Sequence, residues 1–319
     1  MNRCIAGIAL VTMCAMPFSA RAFNSSAWTR RQGELWTLLT FGRAQAGEQF
    51  DADGVTRPFI DGLEGDDVYR DESFYANLEY GIIDGVTAHF ELPFKRVFVD
   101  QPSFLTNTQA FGNIYVGLRI SLLEVGKIES PVAWSIEFGA FLPTGYTRNF
   151  SPSVGPGNVD FDLKTAVGYS FNITRYVPTY LQAGVGFRAR TTAFGLSQIQ
   201  DCETCIPEVD GPPNYSDEIL YLGEIGITPF NGAVLLFGKT FGNVSVLEPT
   251  VGFLPNNPIP TRQRLYQLGG GIFVYPFRFF SVPYAENVGL AFQYYSTIAG
   301  RNVPRTDSLF VGLEYTHFF

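Results

Sequence analysis

The chain has 319 residues, 22 Lys and Arg against 30 Asp and Glu, and a formal net charge of −8 with a mean hydropathy of +0.07. Only 16% of residues are charged and 15% are aromatic, whereas soluble domains carry roughly 25% charged residues. The acidic balance argues against a nucleic-acid partner. The lack of any run of about 18 apolar residues after the first twenty argues against membrane-spanning helices.

The opening, MNRCIAGIALVTMCAMPFSARAFNSS, has a basic Arg3, an apolar stretch from Ile5 to Met16, and Ala20-Arg21-Ala22 before Phe23. This pattern predicts a cleaved secretory signal peptide over residues 1–22, leaving 23–319 as a single domain. A lipoprotein cut before Cys14 is the alternative, but Met13 is a poor small-residue neighbour for it. Residues 1–22 contain Arg3, Arg21 and no acid, so the processed chain would carry 20 basic and 30 acidic residues, net −10.

From about residue 32 one theme repeats: ten to fourteen alternating residues, then a turn. Strands are predicted over 32–44, 72–82, 85–97, 111–124, 131–142, 158–171, 177–190, 217–228, 232–243, 262–276, 286–297 and 307–319. That is an even number, and each is long enough to cross a bilayer at a tilt. The links alternate as well. GIIDG, VGKIES, NITRY, PFNG and FRFFSVPYAE are short, while 45–71, 98–110, 143–157, 191–216, 244–261 and 298–306 are longer. Short periplasmic turns opposite long external loops are what a membrane barrel requires. The expected fold class is therefore all-β, a twelve-stranded antiparallel transmembrane β-barrel of the outer-membrane type.

Alternation assigns the faces. In the second strand Phe74, Ala76, Leu78 and Tyr80 face lipid, with Asn77 and Glu79 inward. In the third, Val86, Ala88, Phe90, Leu92 and Phe94 oppose Thr87, His89, Glu91 and Lys95. Ile114, Val116, Leu118, Ile120 and Leu122 oppose Asn113, Arg119 and Ser121. Val159, Phe161, Leu163, Val167 and Tyr169 oppose Asp160, Asp162, Lys164 and Ser170. Strands one, nine and ten are ambiguous. Pore-lining candidates follow: Glu79, His89, Glu91, Lys95, Arg119, Glu137, Asp162, Lys164, Gln182, Arg188, Arg190, Glu224 and Glu314, with Lys239 added from its position. Six acids meet six bases. They can act as a mixed-charge constriction that selects small solutes, or simply as interior packing in which buried charges pair.

Other features carry less. In QDCETCIPEVDGPPNYSDE, Cys202 and Cys205 suit a small loop disulfide in an exported protein. A redox pair or a zinc site would need surroundings that are not there, and no metal ligand set is expected. Residues 45–71 hold eight acids against Arg57 and Arg70; Asp51-Ala52-Asp53-Gly54 has a faint calcium-loop look but lacks the later bidentate Glu. A solvated loop is expected there, with divalent bridging to lipopolysaccharide as the minority alternative. His89 and His317, the only histidines, fit neither a serine triad nor a rim protease, so no enzyme activity and no cofactor are expected.

The last segment, SLFVGLEYTHFF, puts Leu309, Val311, Leu313, Tyr315, His317 and Phe319 on one face and Ser308, Phe310, Gly312, Glu314, Thr316 and Phe318 on the other. Shifting the register by one would turn Glu314 to the apolar side. In lipid no open sheet edge is tolerated, so this strand must pair with the first.

AFGNIYVGLRISLL, PVAWSIEFGAFLPTGY and GPGNVDFDLKTAVGYSF, within residues 110–171, resemble the outer-membrane barrels grouped under the meta-pathway of phenol degradation. The marks are Gly112-Asn113-Ile114, Leu142-Pro143-Thr144-Gly145 and the Gly-rich entry at 155–157; Asn113 stands where members more often carry Asp. The resemblance covers about sixty residues and implies a bacterial outer-membrane channel or facilitator for small, aromatic or hydrophobic molecules. The terminal pattern likewise resembles the signal that such barrels present to their insertion machinery. Membrane lipid, lipopolysaccharide and a small-molecule solute are the implied partners. The alternative is a structural or surface-binding, adhesin-like barrel with a blocked lumen.

Overall fold

The computed structural model describes residues 25–58, 69–101, 104–144, 154–174, 177–191, 216–246, 253–254, 257–258, 263–280 and 285–319. Among them, twelve long antiparallel strands form a closed barrel: β1 (Glu34–Phe50), β2 (Tyr69–Ile83), β3 (Val86–Gln101), β4 (Phe104–Phe111 and Ile114–Ser121), β5 (Val132–Leu142), β6 (Asp160–Thr174), β7 (Val177–Arg190), β8 (Asp217–Ile227), β9 (Val234–Val246), β10 (Arg264–Val274), β11 (Val288–Arg301) and β12 (Val303–Phe318). Each pairs with its sequence neighbour. β12 returns to β1 in register from Glu34 opposite Phe318 to Phe50 opposite Val303, with one irregularity between Gln45 and Glu48. Closure leaves no open edge. No helix among the described residues is long and apolar enough to cross a membrane.

The outer face is apolar. Leu39, Phe41, Phe74, Val116, Phe138, Phe161, Val185, Leu268, Phe292 and Leu313 all project outward and are exposed, far more apolar surface than a water-soluble protein shows. Near the short-turn end the band closes with rings. Tyr169 stacks on Phe171 at 5.6 Å, Tyr80 meets Phe319 edge-on at 6.5 Å, and the Trp134 indole donates to Thr165 Oγ1 at 3.0 Å. Amphipathic rings favour that interfacial level.

β4 is one strand broken by a bulge. Phe94 faces Phe111, yet Glu91 faces Tyr115, so β4 contains one more residue than β3 over this stretch. The extra residue falls at Gly112-Asn113 and flips the alternation. Buried Thr108 therefore precedes the break on even numbering, while Tyr115, Arg119 and Ser121 follow it on odd.

The predicted links need correction at one end of the barrel. β1 does not stop near residue 44: it continues to Phe50, and Thr56–Pro58 folds back on it. Residues 98–110 are mostly strand, because β3 and β4 pair out to Gln101 and Phe104. Likewise 298–306 is a tight reversal between β11 and β12, with Asn302 in the left-handed region at φ 51°. Alternation persists in these stretches, so the hydrogen-bonded ladder runs on beyond the length a bilayer needs.

Candidate functional site

The inner face has two walls of different chemistry. On β2 to β8 it is ionic, and the charges form a chain along the circumference. Arg30 donates to Glu79 at 2.7 Å, and Arg119 donates to Glu79 at 3.0 Å and to Glu137 at 2.8 Å. Lys164 reaches Glu137 at 3.0 Å and Asp162 at 3.5 Å; Arg188 clamps Asp162 with two bonds of 2.8 and 3.1 Å. Glu218 then accepts from Arg188 at 3.3 Å and from Arg190 at 2.9 Å. Glu137 is the hub: it also accepts from Tyr115 at 2.5 Å, lies 3.4 Å from His89 Nδ1, and is 0% exposed. Opposite charges alternate, so each ion of this chain has a counter-ion beside it.

Glycine makes room for that hub. A Cβ on Gly139 would lie 2.1 Å from the Tyr115 hydroxyl, and one on Gly117 2.9 Å from its ring. Tyr115 can lie flat across β4 and β5 toward Glu137 only because both neighbours lack side chains.

From β8 round to β1 the inner face is aromatic and aliphatic. Phe241 meets Tyr295 edge-on at 5.1 Å, Tyr295 meets Phe310 at 6.0 Å, and Phe310 meets Tyr75 at 6.3 Å. Leu220 and Leu222 are buried in the same cluster, and Leu38 and Phe273 pack in the next, beside Trp36, Leu235 and Tyr275. Its polar groups include Glu224, which accepts from Tyr180 at 2.8 Å and Gln182 at 3.0 Å; Lys239, 3.8 Å from Glu224; Glu314, which accepts from Tyr275 at 3.0 Å; and a buried row in which Gln267 donates to Thr297 at 3.3 Å and Thr297 meets Thr306 at 2.9 Å.

Between the walls lies a cavity of about 390 Å³, lined by Arg30, Glu79, His89 and Arg119 on the ionic side and by Trp36, Phe237, Phe241, Phe273, Tyr295 and Phe310 on the other. A cavity of this size can hold a small molecule, and polar and apolar groups line it about equally. Residues 25–31, which form no strand, rise into the lumen from the short-turn end and supply Ser25, Ser26 and Arg30 to the cavity wall.

The sequence-predicted positions fall as follows. Glu79, His89, Arg119, Glu137, Asp162, Lys164, Arg188 and Arg190 belong to the ionic chain. Lys95 is inward but sits apart, donating to Asp71 at 2.9 Å, and Glu91 is buried opposite Asn77. Gln182, Glu224, Lys239 and Glu314 face the cavity. Cys202, Cys205 and residues 1–22 lie outside the described residues. The Asp51 carboxylate is engaged by the protein itself. It accepts the Val55 and Asp53 amides and pairs with Arg57 at 2.6 Å; these bonds, the Val55 amide foremost, hold its pKa below the usual carboxylate range against the opposing effect of desolvation.

Sequence reasoning missed Asp71, Glu218 and Arg30 in the lumen, and the aromatic wall apart from Phe310, which the alternation of the last strand puts on the face of Glu314. Asp71 stands one position before the predicted second strand and Glu218 in the first residues of the eighth, and carrying the alternation through from Glu79 and Glu224 would have found them. Arg30 had no signal, because it precedes every strand.

Comparison with solved structures decides the fold. The chain shares it with an outer-membrane channel. That structure, the COG4313 outer membrane channel from Pseudomonas putida F1, matches at a TM-score of 0.61 and 13% identity, covering 92% of this chain and 99% of that one. Weaker likenesses include the transport unit of the autotransporter AIDA-I from Escherichia coli, at a TM-score of 0.47 and 10% identity over 92% of this chain and 93% of that one. The CymD monoaromatic hydrocarbon channel matches at 0.39 and 9% identity over 91% and 89%. No protein-family model matches the chain, and no curated protein matches it.

Proposed function

We propose that the protein is a channel or facilitator of the bacterial outer membrane that passes small neutral molecules, aromatic or hydrophobic ones among them, without a covalent step. The observation that carries this is the cavity between a wall of rings and a wall of ions already paired with one another. A charged solute would have to break one of those pairs, whereas a flat neutral one loses little on the ionic side and gains ring contacts on the other. External loops would admit the solute, the lumen would screen it, and a concentration difference would drive it. We further propose that residues 1–22 are cleaved on export, that Cys202 and Cys205 form a loop disulfide, and that lipopolysaccharide and the insertion machinery are partners of the barrel.

The test is uptake into liposomes reconstituted with the purified protein, comparing a neutral aromatic such as benzyl alcohol with a polyol of similar size, alongside conductance in planar bilayers. Faster aromatic uptake with resolved current steps is expected. Neither signal above protein-free liposomes would sink the proposal and favour the second reading, a structural or surface-binding barrel. What favours that reading is the filling of the lumen by the ionic chain and residues 25–31.

A further inference from the structure

The contacts of residues 25–30 inside the barrel form a pattern. Ser25 Oγ donates to Glu137 at 3.0 Å, and Ser135 Oγ donates to the Ser26 carbonyl at 2.7 Å. The Ala27 amide donates to Gln182 Oε1 at 3.1 Å, Arg119 donates to the Trp28 carbonyl at 3.3 Å, and the Arg30 amide donates to Thr87 Oγ1 at 2.7 Å. Four of these five bonds read peptide N–H and C=O groups with barrel side chains. The Trp28 ring is placed too. It meets Tyr180 edge-on at 5.5 Å and lies over Gly168, where a Cβ would come within 2.6 Å of the indole. The lumen thus presents acceptors, donors and a ring-sized space matched to an amide bearing an aromatic group.

We propose that the lumen contains a binding site for small neutral aromatic amides, and that residues Ser25–Arg30 are its resident, displaceable occupant. The segment is held by separate side-chain bonds and not by a strand ladder, so solute or water can replace each contact in turn. Ser25, Ser26 and Arg30 border the cavity, so a molecule entering it stands beside the segment it must displace. Displacement then opens the short-turn end of the barrel. The binding site rests on these contacts alone, and only the opening step rests on the channel reading given above.

The experiment uses the full chain in detergent micelles and N-acetyl-tryptophanamide as probe, with N-acetyl-alaninamide as control. Because the tethered segment competes at an effective concentration in the millimolar range, the probe is used at about 10–50 mM. Hydrogen–deuterium exchange of the peptide covering residues 25–33 should quicken at least about threefold with the aromatic probe and not with the control. Gly168→Leu, which wedges a side chain into the Trp28 space, and Trp28→Ala should exchange quickly with no probe and conduct more than the parent chain in planar bilayers. Exchange that ignores the probe, with both variants as slow as the parent, would overturn the proposal even if the protein conducts. Exchange that responds to the probe while neither variant conducts would keep the site and refute the channel. If Gly168→Leu does not fold, Trp28→Ala carries the same comparison.

Discussion

The two arcs of the barrel wall solve the same packing problem in opposite ways. On β2 to β8 the interior is filled by charges, each tied to a partner by direction and distance, as in Arg119 between Glu79 and Glu137. From β8 to β1 rings and leucines face the cavity, packing by area and setting few angles, with a hydrogen-bonded Gln267–Thr297–Thr306 row beside them. Ion pairs draw strands together and leave little space, since an unmatched charge there is costly. Rings leave gaps, and the 390 Å³ cavity lies against them. One arc specifies the barrel, and the other leaves it room to hold a guest.

Substitutions in each arc should separate these roles. The largest effect is expected from Glu137→Gln, which strips the shared partner from Arg119 and Lys164. It should cost about 3–5 kcal/mol, the usual penalty for breaking a buried pair, read by urea unfolding in micelles and by loss of the compact band on unheated gels. Gly139→Val pushes Tyr115 away from the same hub and should cost about 1–3 kcal/mol by overpacking. A loss as small as that of a surface change would mean that the hub does not depend on Tyr115.

On the ring side, Phe310→Ala should cost about 2 kcal/mol, less than the roughly 3–5 kcal/mol usual for deleting a buried aromatic, because the new space joins a cavity that already exists. Its mark should be functional: the preference of liposome uptake for an aromatic over a polyol should fall, with little change in total flux. Equal uptake ratios in parent and variant would remove the rings from selection. The smallest effect is expected from Arg305→Ala on the outer rim. Arg305 pairs with Glu48 at 2.8 Å with both side chains about half exposed, so the loss should be under about 1 kcal/mol and vanish in high salt.

Much of the ionic arc was legible because its alternation is clean. Glu79 between Leu78 and Tyr80, or Asp162 between Phe161 and Leu163, names its own face. β1, β9 and β10 read ambiguously for a reason the fold supplies. Leu235 and Phe237 face the lumen while Leu236 faces lipid, and Leu38 is inward while Leu39 is outward. Where both sides of a strand meet apolar surroundings, the period-two signal disappears. All three ambiguous strands contribute to the ring wall, with Leu38 on β1, Phe241 on β9 and Phe273 on β10.

The sequence by itself determined the number of strands, the face of most residues and the need to close, because each follows from a two-residue period and from the cost of unpaired backbone in lipid. It could not determine who meets whom across the lumen. Ser25 finds Glu137 112 positions away, and Phe310 finds Tyr75 only after β12 returns to β1. Those contacts depend on circumference and register around the whole ring, and neither quantity is written in any single strand.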